Sequence, residues 1–265
     1  MLLGEPQTSA YDWRFQVFGF PVRVSWLFWA VSAALGYGHA MSLQGAYRGM
    51  QVNLGAILAI WVIVTFISIL VHELGHGLAF RFFGIRCDIV LYHMGGLAIP
   101  GAGMIWGRNG RRTQLSHRDQ IIISGAGPAI QLLLGAFVGI VAILCGIYVP
   151  EFNWLADYLR LDVGTPRNPF ACAFVRFMVT SSIWWAMINL LPIYPLDGGH
   201  IAQHLIGIYR RTSGLMEAHA VSAAVGIVLA FWCFTHGMEL NALFIASMVM
   251  NNIQTIQSGY GPRNW

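Results

Sequence analysis

Six stretches of the chain, near residues 24–42, 53–83, 119–148, 170–191, 217–236 and 239–257, are apolar for long enough to cross a bilayer as helices. The last two are joined by a very short link, which predicts a tight helical hairpin. Arg176 falls near the start of the fourth stretch, where its side chain can reach back to the interface. Ahead of the first stretch, Arg14–Val24 mixes aromatic and β-branched residues in partial alternation, which predicts a short strand or ribbon at the interface. Residues 85–105 turn about Gly95 and Gly96 and predict a second, glycine-centred hairpin. The expected fold is an all-α polytopic membrane protein of about six transmembrane helices, with a small membrane-associated β ribbon or hairpin on the cytoplasmic side.

Composition agrees with a lipid environment. Of 265 residues, 57% are hydrophobic and 10% are charged, against roughly 25% charged in soluble domains. The net charge of +4 sits in loops, with no basic patch interleaved with exposed aromatics, so nucleic acid is not an expected partner. No basic residue precedes Arg14, and no cleavable leader is expected. No segment outside the apolar stretches is long enough for a separate soluble domain. One transmembrane domain over residues 1–265 is expected, with its core at 53–210.

With six spans, Arg14, Arg23, Arg86, Arg108, Arg111, Arg112, Arg118, Arg210, Arg211 and Arg263 share one side and Arg48, Arg160 and Arg167 the other. The positive-inside rule then puts both termini in the cytoplasm of a multi-pass cell-membrane protein, taken to be prokaryotic. Cys87, Cys145, Cys172 and Cys233 have no CxxC spacing; buried free thiols are expected, with a Cys145–Cys172 bridge left open.

The candidate chemistry lies inside the second apolar stretch, at His72-Glu73-Leu74-Gly75-His76. Positions i and i+4 are one helical turn apart, so both imidazoles can reach one ion while the glutamate between them stands beside the metal's water. Ionisable groups in a bilayer are costly and usually functional. Thr65 and Ser68 extend the same polar stripe. The alternative is a pair of histidines satisfied by hydrogen bonds between helices. A catalytic zinc needs a third protein ligand, and the candidate is Asp197, in Asn189-Leu-Leu-Pro-Ile-Tyr-Pro-Leu-Asp197-Gly-Gly. Pro192 and Pro195 end the fourth helix, and the strap beyond could return a carboxylate toward its neighbour. The competing role for Asp197 is a cap on a helix over 198–210. With His72 about 24 Å along its helix, both motifs fall in the cytoplasmic third of the membrane.

HExxH within one span and a later NxxPxxxLDG ending another resemble the site-2 proteases, the intramembrane zinc metalloproteases. Gly19-Phe-Pro-Val22, Gly95-Gly96 and Gly127-Pro128 extend the resemblance over about residues 15–210. It implies one Zn2+ per chain on His72, His76 and Asp197, with Glu73 as the general base and Asn189 positioning substrate or oxyanion. Gln131 stands where the family often has Asn, and a similar role is expected of it. The implied substrate is a transmembrane protein or peptide, cut where it is locally unwound; Gly95 and Gly96 would offer a strand edge to it. PDZ and CBS domains, frequent in the family, are not expected here.

The weighed alternatives are a non-proteolytic membrane metal-binding protein or transporter, and a prenyl-type membrane protease. The latter takes a downstream Glu in an ExxxD/E setting, which Glu151, Glu217 and Glu239 lack. His200 and His204, at i and i+4 with no acidic residue between them, read as polar interface contacts, and His93 as a loop residue. Gly135 and Gly139 read as a close-packing face.

Overall fold

The computed structural model describes residues 8–47, 52–93, 95–101, 115–164 and 168–259. Arg48, Arg108, Arg111, Arg112, Arg167 and Arg263 of the charge count, and the end of the 85–105 stretch, lie outside the described residues.

Each apolar stretch falls on one helix: α1 (Trp26–Ala46), α2 (Leu54–Phe82), α3 (His117–Leu144), α5 (Pro169–Asn189), α7 (Leu215–Thr235) and α8 (Glu239–Ser258). The boundaries have local causes. Asn53 caps α2 by accepting from the Ala56 amide, and Ser116 and Asp119 form a reciprocal capping box on α3. Asn168 caps α5, with Pro169 at its first position. Four helices, α2, α3, α5 and α7, have the length and apolar character to cross a membrane. Their outward faces carry exposed Leu133, Phe137 and Val228, the arrangement expected of helices solvated by lipid rather than water.

Two shorter helices lie between the apolar stretches; the first was not expected, and the second matches the helix considered over 198–210. A 3-10 turn at Pro150–Phe152 and α4 (Asn153–Leu159) fold the link after α3, and α6 (Asp197–Arg210) follows the strap after α5. All four cysteines are free, and Cys145 is exposed.

The two predicted β segments form one sheet. Strands β1 (Trp13–Val17) and β2 (Phe20–Val24) make an antiparallel hairpin through Phe18 and Gly19, both at positive φ, as such two-residue turns require. Strands β3 (Cys87–Tyr92) and β4 (Gly95–Pro100) make the second hairpin, and β2 pairs with β3 in parallel, giving the order β1-β2-β3-β4. Phe20, Val22, Val24, Ile89 and Leu91 bury one face of this sheet against Phe28 of α1 and Ile69 and Leu74 of α2. The sheet is thereby fixed over the half of α2 that carries the polar stripe.

Candidate metal centre

His72, Glu73 and His76 are all buried, at 3%, 4% and 8% exposure. Helix α3 can approach them closely because Gly75 of α2 faces Gly127 of α3; a Cβ on Gly75 would stand 2.6 Å from the Ala126 carbonyl oxygen.

Asp197 arrives from the other side. After α5 the chain turns through Pro192 and Pro195, and α6 tucks beneath that strap. A Cβ on Gly199 would lie 2.7 Å from the Tyr194 amide nitrogen, and one on Gly198 would collide with the Leu190 and Leu191 carbonyls. Only glycines let the first turn of α6 sit there. Asp197 is the first residue of α6, the cap position belongs to Leu196, and the carboxylate points away from the helix end toward α2. Its Oδ2 is 3.0 Å from His72 Nε2 and its Oδ1 is 3.3 Å from His76 Nε2.

The far nitrogens of both rings are fixed. His76 Nδ1 donates to the Ile123 carbonyl at 2.7 Å. The Gln131 amide nitrogen donates to Ser68 Oγ, so its Oε1 accepts from His72 Nδ1, at 2.8 Å. Ser68 Oγ also meets Ser182 Oγ of α5 at 3.2 Å. With both protons on Nδ1, both Nε2 lone pairs face Asp197. Two lone pairs and a carboxylate converging in an apolar interior repel one another unless something positive lies between them.

The spacing identifies a candidate. The two Nε2 atoms are 3.1 Å apart, so the three donors stand 3.0–3.3 Å from one another. Four ligands at about 2.0 Å around tetrahedral zinc are about 3.3 Å apart, so the donor set fits zinc in both chemistry and spacing. Gly127 keeps the space open. A Cβ there would collide with His76 Nε2 and lie 2.8 Å from His72 Nε2. Glu73 is not among the converging donors. Its carboxylate reaches the Ala98 amide of β4 and packs so tightly on Gly96 that a Cβ there would collide with it.

The other predicted positions are more scattered. Gln131 is fully buried behind His72. Asn189, half-buried at the end of α5, makes no side-chain hydrogen bond among the described residues. Gly95, at φ 133°, turns β4 beside the Trp185 ring. His93 lies in the turn after β3, its ring against Tyr92. Gly135 and Gly139 admit Ile183 of α5 and the Phe152 ring, as a close-packing face should. Thr65 is turned inward without a partner among the described residues.

A histidine pair escaped the sequence reading. His204 Nδ1 of α6 meets His117 Nδ1 of α3 at 2.9 Å, over Gly207. Burial, followed by the facing His117 and by His200, lowers the His204 pKa from 6.5 to about 4. A histidine depressed in the folded state contributes stability that is complete above its unfolded value of about 6.5 and lost as pH falls. The melting temperature of the detergent-solubilised protein is expected to drop between pH 6.5 and 4. His204→Leu should flatten that slope, and an unchanged slope would remove the pair as its origin.

Comparison with known proteins bears on this geometry. The sequence model of Peptidase family M50 matches residues 163–233, the stretch that holds the strap and Asp197. A zinc metalloprotease of Methanocaldococcus jannaschii is 23% identical over 188 residues, 71% of this chain and 45% of its own. Rip3 of Mycobacterium tuberculosis strain H37Rv, named a putative zinc metalloprotease, is 25% identical over 240 residues, 90% of this chain and 53% of its own. The matched stretch and the matched relatives liken this chain to the zinc metalloproteases of Peptidase family M50. The chain spans about half the length of the curated relatives it matches. Its HExxH turn lies outside the stretch matched by the family's sequence model, so the meeting of α2 with Asp197 is an independent observation. Among solved structures, the site-2 protease from Methanocaldococcus jannaschii aligns over 96% of this chain and 100% of its own, at 18% identity and a TM-score of 0.48.

Proposed function

We propose that this chain is an intramembrane zinc metalloendopeptidase that hydrolyses a peptide bond in a locally unwound transmembrane segment. The observation that carries the proposal is the convergence of three donors at tetrahedral spacing beside a buried glutamate, on a helix apolar enough to span a membrane.

On this reading His72, His76 and Asp197 hold one Zn2+ per chain. Bound there, zinc would supply Lewis acidity, polarising a carbonyl and acidifying water. Glu73 takes the proton from the attacking water and returns it to the leaving amine, so that one water is added across the C–N bond. Gln131 and Ile123 keep both rings in the tautomer that presents Nε2. Asn189, at the strap's entrance, is assigned to substrate or oxyanion. The outer edge of β4, with Gly95 and Gly96 beside Glu73, would receive the unwound segment as an added strand; the backbone groups of that segment have no partners in lipid.

The wider architecture proposed is a single transmembrane domain with its core at 53–210, in which α1 and α8 also cross the membrane. Both termini would face the cytoplasm, and the partners are the bilayer and a membrane-protein substrate, with no nucleic acid. A metal-binding protein or transporter would have no use for Glu73.

The test is metal removal. Chelation of the reconstituted protein should stop cleavage of a single-span substrate, and one equivalent of zinc should restore it. Cleavage that survives complete removal of metal would overturn the proposal.

A further inference from the structure

The third ligand sits at the end of a strap that has no periodic structure of its own, so something outside the strap must set its position. Four side chains beyond Asp197 reach the single strap residue Tyr194, directly or through one another. The Tyr194 amide donates to Ser222 Oγ of α7 at 3.0 Å, and that hydroxyl spends its proton on the Ala218 carbonyl at 2.7 Å. The Tyr194 carbonyl accepts from Asn252 Nδ2 of α8 at 3.0 Å. The same nitrogen also donates to the Met248 carbonyl, so Asn252 Oδ1 is the acceptor for His219 Nδ1–H, at 2.6 Å. The His219 ring stacks on the Tyr194 ring at 4.6 Å, and the Tyr194 hydroxyl bonds Gln203 of α6. Ser222 and Asn252 are 0% and 1% exposed.

Polar side chains on membrane helices usually satisfy one another across a helix interface. Here they converge on both backbone groups of one strap residue. From Tyr194 the path to the ligand is short: the Leu196 amide bonds the Ile193 carbonyl at 2.8 Å, and the Gly199 amide bonds the Leu196 carbonyl at 2.9 Å. These bonds tie the residues flanking Tyr194 to those flanking Asp197, so the strap and the first turn of α6 form one hydrogen-bonded unit.

We infer that Ser222 and Asn252 are positioning residues that hold the Asp197 carboxylate at the metal centre, which makes α7 and α8 part of the site rather than a membrane anchor alone. The inference rests on the zinc reading above. The test uses the full chain in detergent, with zinc affinity measured by chelator competition and the visible spectrum recorded after cobalt loading.

Asn252→Ala and Ser222→Ala should each weaken zinc binding about tenfold, the lower end for outer-sphere partners of metal ligands, and should alter the cobalt bands. In an Asp197→Ala background neither should weaken binding further, because the effect passes through that carboxylate. If Asn252→Ala does not fold, Ser222→Ala, which removes one hydroxyl, decides alone. Wild-type affinity and spectrum in the folded variants would overturn the inference, as would an equal loss without Asp197. A wild-type chain that binds no zinc would instead overturn the zinc reading itself.

Discussion

Replacing Glu73 with Gln is expected to leave zinc bound and to stop hydrolysis. The two side chains are nearly the same shape, so the packing of residue 73 against Gly96 survives the change. The glutamate is not among the three converging donors, so zinc per chain should stay at the wild-type value. A carboxamide has no basic oxygen to take a proton from water, and loss of a general base lowers rates by about 10²–10⁴-fold. Cleavage of a single-span substrate should fall at least about a hundredfold, with zinc counted by atomic absorption on the same preparation. Wild-type cleavage by E73Q would remove the glutamate from the mechanism.

Gly127→Ala should do the opposite and remove the metal while sparing the base. Ile123, Gly127 and Gln131 follow at four-residue intervals along one face of α3. The outer two hold the His76 and His72 rings by their Nδ1 atoms, and the middle one leaves room for the Nε2 atoms. A methyl there must push against rings that cannot swing away. Overpacking of this kind costs about 1–3 kcal/mol, and here the strain falls on the ligands themselves. Zinc affinity should drop by about a hundredfold, of the size that about 3 kcal/mol produces. Stoichiometric zinc at wild-type affinity in G127A would show that the space beside the rings is not the ion's.

Much of this centre is legible in the sequence because its parts are local or forced. The pair His72 and His76 follows from helical period alone, and Asp197 from two prolines that must end a helix and two glycines that permit a tight return. What the sequence does not reveal is mostly pairing at long range. Gln131 reads as a polar residue near the reaction, yet its partner is a ring nitrogen on another helix, which no spacing within α3 indicates. The parallel contact of β2 with β3 joins segments separated by two long helices, and neither strand's alternation carries that information. Helix α4 is hidden because a seven-residue helix inside a link has too few turns for a periodic signal. The sequence reading of α8 rests on the apolar stretch 239–257 and its short link, and gives no role to its polar residues. In the structure Asn252 is the residue that reaches inward to Tyr194.

The parallel seam between β2 and β3 has a mechanical consequence. Across it the Ser25 amide bonds the Leu91 carbonyl at 2.8 Å, at the point where β2 passes into α1. The ribbon, the hairpin and the root of the first helix are therefore joined in one hydrogen-bonded unit that packs on the flank of α2. The same unit carries β4, the strand lying over Glu73, so the start of the first helix and the roof of the metal centre share one backbone network.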